Sequence, residues 1–134
     1  MNNPGRIILT NWVHLLGFYI CVECVTVYEV LIAHGNWDSY IGMLLFSAPF
    51  LLLTYGLMFI IGFLLVISIL DLILFSLIKQ KVLFILFIEW LLIAPTFIYY
   101  SFKYQYWLWI WLSAAFLITQ YIRSKKIEKH LAKN

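Results

Sequence analysis

Residues 57–70 read LMFIIGFLLVISIL, fourteen positions with a single hydroxyl and no charge. A helix on the surface of a soluble protein needs a polar stripe repeating about every 3.6 residues, and this window has none. Similar stretches recur along the chain. Of its 134 residues 65% are apolar and 11% charged, and the mean hydropathy is +0.97, where soluble domains are typically about 45–50% apolar and about 25% charged. The solvent expected for such a chain is a lipid bilayer. Strands of alternating polarity, which a membrane β-barrel requires, are absent, so the expected class is an all-α integral membrane protein. The first apolar run follows Arg6 but contains Asn11, His14 and Glu23 and is too long for a signal peptide, so it reads as a retained helix.

Four stretches are long enough to cross an apolar core of ~30 Å at ~1.5 Å per residue: residues 7–33, 41–78, 82–100 and 104–122. The connections HGNWDS, KQK and SFK are short, and residues 1–134 form one transmembrane domain, an up-down four-helix bundle with a basic tail over 123–134. The 38-residue second stretch makes a helix of ~57 Å, too long for one crossing. It is expected either to kink near Pro49 or to turn near Gly56 or Gly62, the latter giving five spans. Four spans place Arg6, Lys79, Lys81, Arg123, Lys125, Lys126, Lys129 and Lys133 on one side and Lys103 alone on the other. That asymmetry puts both termini in the cytoplasm. Trp37, Tyr40, Tyr99, Tyr100, Tyr104, Tyr106 and Trp107 then mark the outer interface, with Trp12 and Tyr121 at the inner one. The membrane implied is a bacterial inner membrane or an organellar inner membrane, and the tail suits anionic headgroups rather than nucleic acid.

Ionisable side chains inside the hydrocarbon cost about 2.5–3.5 kcal/mol at a helix centre, which makes each a functional candidate. His14 lies eight residues after Arg6, Asp71 eight before Lys79 and Glu89 eight after Lys81. Eight helical residues span ~12 Å, so the three groups are expected at one depth in three different helices. Asp71 and Glu89 flank the KQK turn and are expected to approach, one holding a proton, with His14 supplying the compensating charge. In the first helix Asn11, His14 and Glu29 share a face flanked by Tyr19 and Thr26, but Phe18, Val22 and Val25 interrupt it, so its two ends form separate sites. Glu23 is off that face.

Cys21 and Cys24 share a helix face but lie mid-helix, without the helix N-terminus and solvent path that redox pairs use, and are expected to be buried inert thiols. Glu23 points away from both. No metal site is predicted, since no Glu-x-x-His or His-x-x-x-His pair is present. A pair of haems is disfavoured because His14 and His34 lie ~30 Å apart along the helix and each lacks a second ligand. No cofactor is expected. Phosphate-loop, dinucleotide and hydrolase motifs are also missing.

The stretch KQKVLFILFIEWLLIAP, residues 79–95, is similar to the glutamate-bearing middle helix of the small three-helix membrane subunit of respiratory complex I. The resemblance implies that Glu89 takes part in proton transfer. That family carries a second glutamate in its following helix, whereas WLSAAFLITQ here has none.

The function expected is that of a structural or accessory subunit of a membrane complex, or of a homo-oligomer, with the bilayer and another membrane protein or itself as partners. The first alternative is proton or cation translocation, or proton sensing, through His14, Asp71 and Glu89. The second is an intramembrane enzyme acting on a lipid or quinone; enzymatic activity is the less expected outcome.

Overall fold

The computed structural model describes residues 4–34, 46, 49–50, 53–54, 56–78 and 81–131. Among these residues the chain is all-helical. A short helix α1 (Pro4–Ile8) passes through a 3₁₀ turn (Leu9–Asn11) into α2 (Trp12–His34), followed by α3 (Gly56–Leu77), α4 (Val82–Tyr104) and α5 (Leu108–Leu131). The segments Leu9–Glu29, Gly56–Leu77 and Val82–Tyr104 are long and apolar enough to cross a membrane. α5 is more polar, because Gln120, Arg123 and the lysines beyond them interrupt its apolar run.

The boundaries differ from the sequence expectation in two places. Ser101, Phe102 and Lys103 belong to α4, and the turn falls at Gln105–Trp107. Nothing in SFK breaks a helix. Gln105 does so by adopting a left-handed conformation, φ 49°, with its N–H bonded to the Ser101 carbonyl. Residues 123–131, expected as a basic tail forming a fraying helix end beyond the span, continue α5 without a break to Leu131. Gly62 sits inside α3, so no turn forms there. The expected kink near Pro49 and the HGNWDS connection fall largely outside the described residues.

α5 is the central element, packing along both α4 and α2, while α3 meets α1 and α4. Two apolar clusters hold the four long helices together. Phe18, Phe63, Ile67, Ile93, Phe97, Leu112 and Phe116 draw on α2, α3, α4 and α5. Their rings meet edge to face, with centroids 4.9 Å apart for Phe18–Phe63 and 5.2 Å for Phe63–Phe116, a favoured geometry for aromatic pairs. Toward the end that carries both Pro4 and Leu131, Ile7, Val82, Leu86 and Ile127 form the second cluster, joined by Phe75. Outward-facing positions are also apolar, among them Leu16, Ile20, Leu65, Ile69, Leu91 and Ile118. The buried groups include Asp71, Glu89 and Arg123. Charge inside and hydrocarbon outside is the arrangement an apolar solvent favours.

Candidate functional site

Between the two apolar clusters lies a polar layer. Helical spacing builds it: His14 stands one turn and Asn11 two turns before Phe18, Asp71 one turn after Ile67, Glu89 one turn before Ile93, and Gln120 and Arg123 between Phe116 and Ile127. Each side chain therefore shares the core-facing stripe of its own helix.

Arg123 is the centre of the layer and is fully buried. Its Nη2 donates to both Asp71 oxygens, each at 2.6 Å, and more weakly to the Ile7 carbonyl at 3.5 Å. Its Nη1 donates to Glu89 Oε2 at 3.2 Å and to Gln120 Oε1 at 3.4 Å, and its Nε donates to Thr10 Oγ1 at 2.8 Å. Thr10 passes its own proton to the Ile7 carbonyl at 2.6 Å. Gln120 Nε2 donates to Glu89 Oε2 at 2.9 Å, and Asn11 Nδ2 donates to Asp71 Oδ2 at 3.0 Å and to Ser68 Oγ at 3.4 Å. One guanidinium thus ties the α1–α2 junction, α3, α4 and α5 at a single level.

His14 occupies the side of the layer that faces the aromatic cluster, its ring centroid 5.0 Å from that of Phe116. Its Nδ1 lies 2.7 Å from Thr119 Oγ1, and that hydroxyl donates to the Phe116 carbonyl at 2.8 Å. With the hydroxyl proton committed, Nδ1 is assigned as the protonated nitrogen and Nε2 as the bare one. Three buried acceptors find no hydrogen-bond partner among the described residues: Asn11 Oδ1, His14 Nε2 and Glu89 Oε1.

The structure brings together His14, Asp71, Glu89 and Asn11, the residues expected at matched depth and the polar residue one turn from His14. The compensating cation, however, is Arg123 rather than His14. Arg123 was expected at the membrane surface with the lysines that follow it; its neighbours Lys125 and Lys126 do lie toward the rim, over Tyr121 and Trp12 at 4.6 and 4.0 Å. Two acids in apolar stretches that carry no lysine or arginine call for a cation from elsewhere in the chain, but nothing in the local pattern singles out Arg123. Thr10, Ser68, Thr119 and Gln120 were also missed, although Phe116, Gln120, Arg123 and Ile127 repeat at the spacing of one helix face.

The other sequence candidates lie outside this layer. Tyr19 is exposed and faces Glu23 on the next turn, and Thr26 bonds its own helix through the Val22 carbonyl at 2.8 Å. Glu29 is exposed at the opposite end of the bundle, where burial and then the adjacent Glu29 carboxylate raise the phenol of Tyr106 above its ordinary value. Cys24 is exposed and Cys21 half-buried, both free, so the expectation of two buried thiols is corrected. Among the described residues no three His, Cys, Asp or Glu side chains group as metal ligands do. No protein family, curated protein or solved structure matches this chain.

Proposed function

We propose that this protein is a four-span membrane bundle that works by helix packing, as an accessory subunit of a membrane complex or as a homo-oligomer. Its two ends lie on the cytoplasmic side of a bacterial or organellar inner membrane. The carrying observation is the closure of the polar layer. Arg123 uses every guanidinium nitrogen, Asp71, Glu89 and Arg123 are each at most 1% exposed, and apolar clusters cap the layer on both sides. A buried cation whose nitrogens all find acceptors on neighbouring helices specifies helix register and depth. The chemistry it offers a passing substrate is small. The apolar exterior supplies the contact surface for a partner. Extracted gently from its native membrane, the protein is expected to run as an oligomer or to carry a second membrane protein with it. A lone monomer recovered across several mild detergents and in native-lipid nanodiscs overturns this reading.

A second reading is favoured by the charge count. Two carboxylates share one guanidinium, and Glu89 Oε1 has no partner. Neutrality of so buried a cluster calls for one proton on the carboxylate pair, a proton that can be exchanged. In liposomes under a pH gradient this reading predicts proton flux that Glu89→Gln and Asp71→Asn each abolish while the folded yield is kept. Absence of flux from the parent protein, or flux unchanged in both variants, removes it.

A further inference from the structure

A groove of about 960 Å³ runs between α2 and α5, with no described residue of α3 or α4 on its lining. It extends from Gly17 to Glu29 along α2, twelve residues or ~18 Å of helix. Small side chains make the space: Cys21 and Cys24 on α2, Ala114 and Ala115 on α5. Ile20, Ile118 and Ile122 complete an almost wholly apolar trough.

One end differs. There Glu29 lines the groove together with Tyr28, Trp107 and Trp111, and among the described residues it is the one carboxylate on the lining. Tyr106, next to Trp107 in the turn, is near enough to the Glu29 carboxylate for that charge to raise its phenol. A carboxylate on a lining that also carries aromatic rings suits an organic cation, because ring quadrupoles add to the ion pair without demanding directional hydrogen bonds. An apolar trough of this length beneath it takes an alkyl chain.

We propose that the α2–α5 groove binds a single-chain amphiphile with an ammonium headgroup, the cation at Glu29 between Tyr28, Trp107 and Trp111 and the chain running toward Gly17. Charge selects the headgroup, and the small residues admit the tail. Of the polar layer only Thr119 reaches this groove; Asp71, Glu89 and Arg123 contribute nothing to its walls. It stands whether or not the bundle assembles with a partner.

The test uses the full chain in nanodiscs of zwitterionic lipid and follows tryptophan fluorescence, since Trp107 and Trp111 line the mouth. Dodecyltrimethylammonium brominated on its chain serves as quencher, against an identically brominated dodecyl maltoside, both below solubilising concentration. The cation is expected to quench saturably and to bind about tenfold more tightly than the neutral probe, a difference of the size that cation–π and ion-pair contacts provide. Glu29→Gln should erase that preference and Glu29→Asp keep most of it, while Ala114→Phe, which fills the trough, weakens both probes. All three variants should melt like the parent, because Glu29 and Ala114 are exposed. Equal affinity for the two probes, quenching that never saturates, or a preference that survives Glu29→Gln overturns the proposal.

Discussion

Arg123 lies fully buried at the centre of the polar layer. Its guanidinium spreads donors toward Asp71, Glu89, Gln120, Thr10 and the Ile7 carbonyl, a planar fork that the point charge of a lysine cannot reproduce. Removing one partner of a buried ion pair leaves the other charge uncompensated, at a cost of about 3–5 kcal/mol. Arg123→Ala is therefore expected to lower thermal stability in detergent by that amount, with Arg123→Lys recovering only part of it. Neutralising all three groups together, as Asp71→Asn, Glu89→Gln and Arg123→Met, should be milder than Arg123→Ala alone. Circular dichroism melts decide this, and an Arg123→Ala protein that melts with the parent refutes the role assigned here. The carboxylates were legible in the sequence because an acid inside a run of Leu, Ile and Phe stands out. The arginine was not, since RSKK reads as the start of a basic rim. Only packing shows that the first of its cations turns inward while Lys125 and Lys126 stay at the edge.

The contact between α2 and α5 is set by one glycine. A Cβ built on Gly17 would collide with Thr119 Cγ2, so the two helices approach as closely as they do only because that atom is missing. The same threonine holds His14, one turn below Gly17, through its hydroxyl. Gly17→Ala is thus expected to push the helices apart and to cost about 1–3 kcal/mol by overpacking. Pairing it with Thr119→Ser, which removes Cγ2 and keeps the hydroxyl, should restore most of the loss in the same melts. A Gly17→Ala protein as stable as the parent, or a double variant no better than the single, argues against this contact. Helix existence was plain from hydropathy, but helix ends were less so. The α4–α5 turn comes later than composition suggests because it depends on the backbone of Gln105, a residue whose side chain carries no helix-breaking signal. At the other turn, KQK did mark the break between α3 and α4.

At the scale of the whole molecule the architecture is a stack: an aromatic cluster, a charged layer and a second apolar cluster, wrapped in an apolar exterior. Lipid gives helices little hydrophobic reason to associate, so packing and buried polar contacts fix which helix meets which. Counting residues from the basic flanks anticipated that His14, Asp71 and Glu89 would fall at one level, because a helix converts sequence distance into depth at a constant rise. It also separated Glu29 from that level. Rotation about each helix axis and the choice of neighbour are not written in a local pattern when every face is apolar. By itself, then, the sequence determined the helical class, the presence of segments long and apolar enough to cross a membrane, and the positions of the acids along those segments, all of which follow from local composition and helix geometry. The tertiary structure alone decided that Arg123 neutralises Asp71 and Glu89, that Gly17 admits Thr119, and that α2 and α5 leave a groove between them. These are contacts between residues 34 to 102 positions apart, and only the mutual packing of whole helices brings them together.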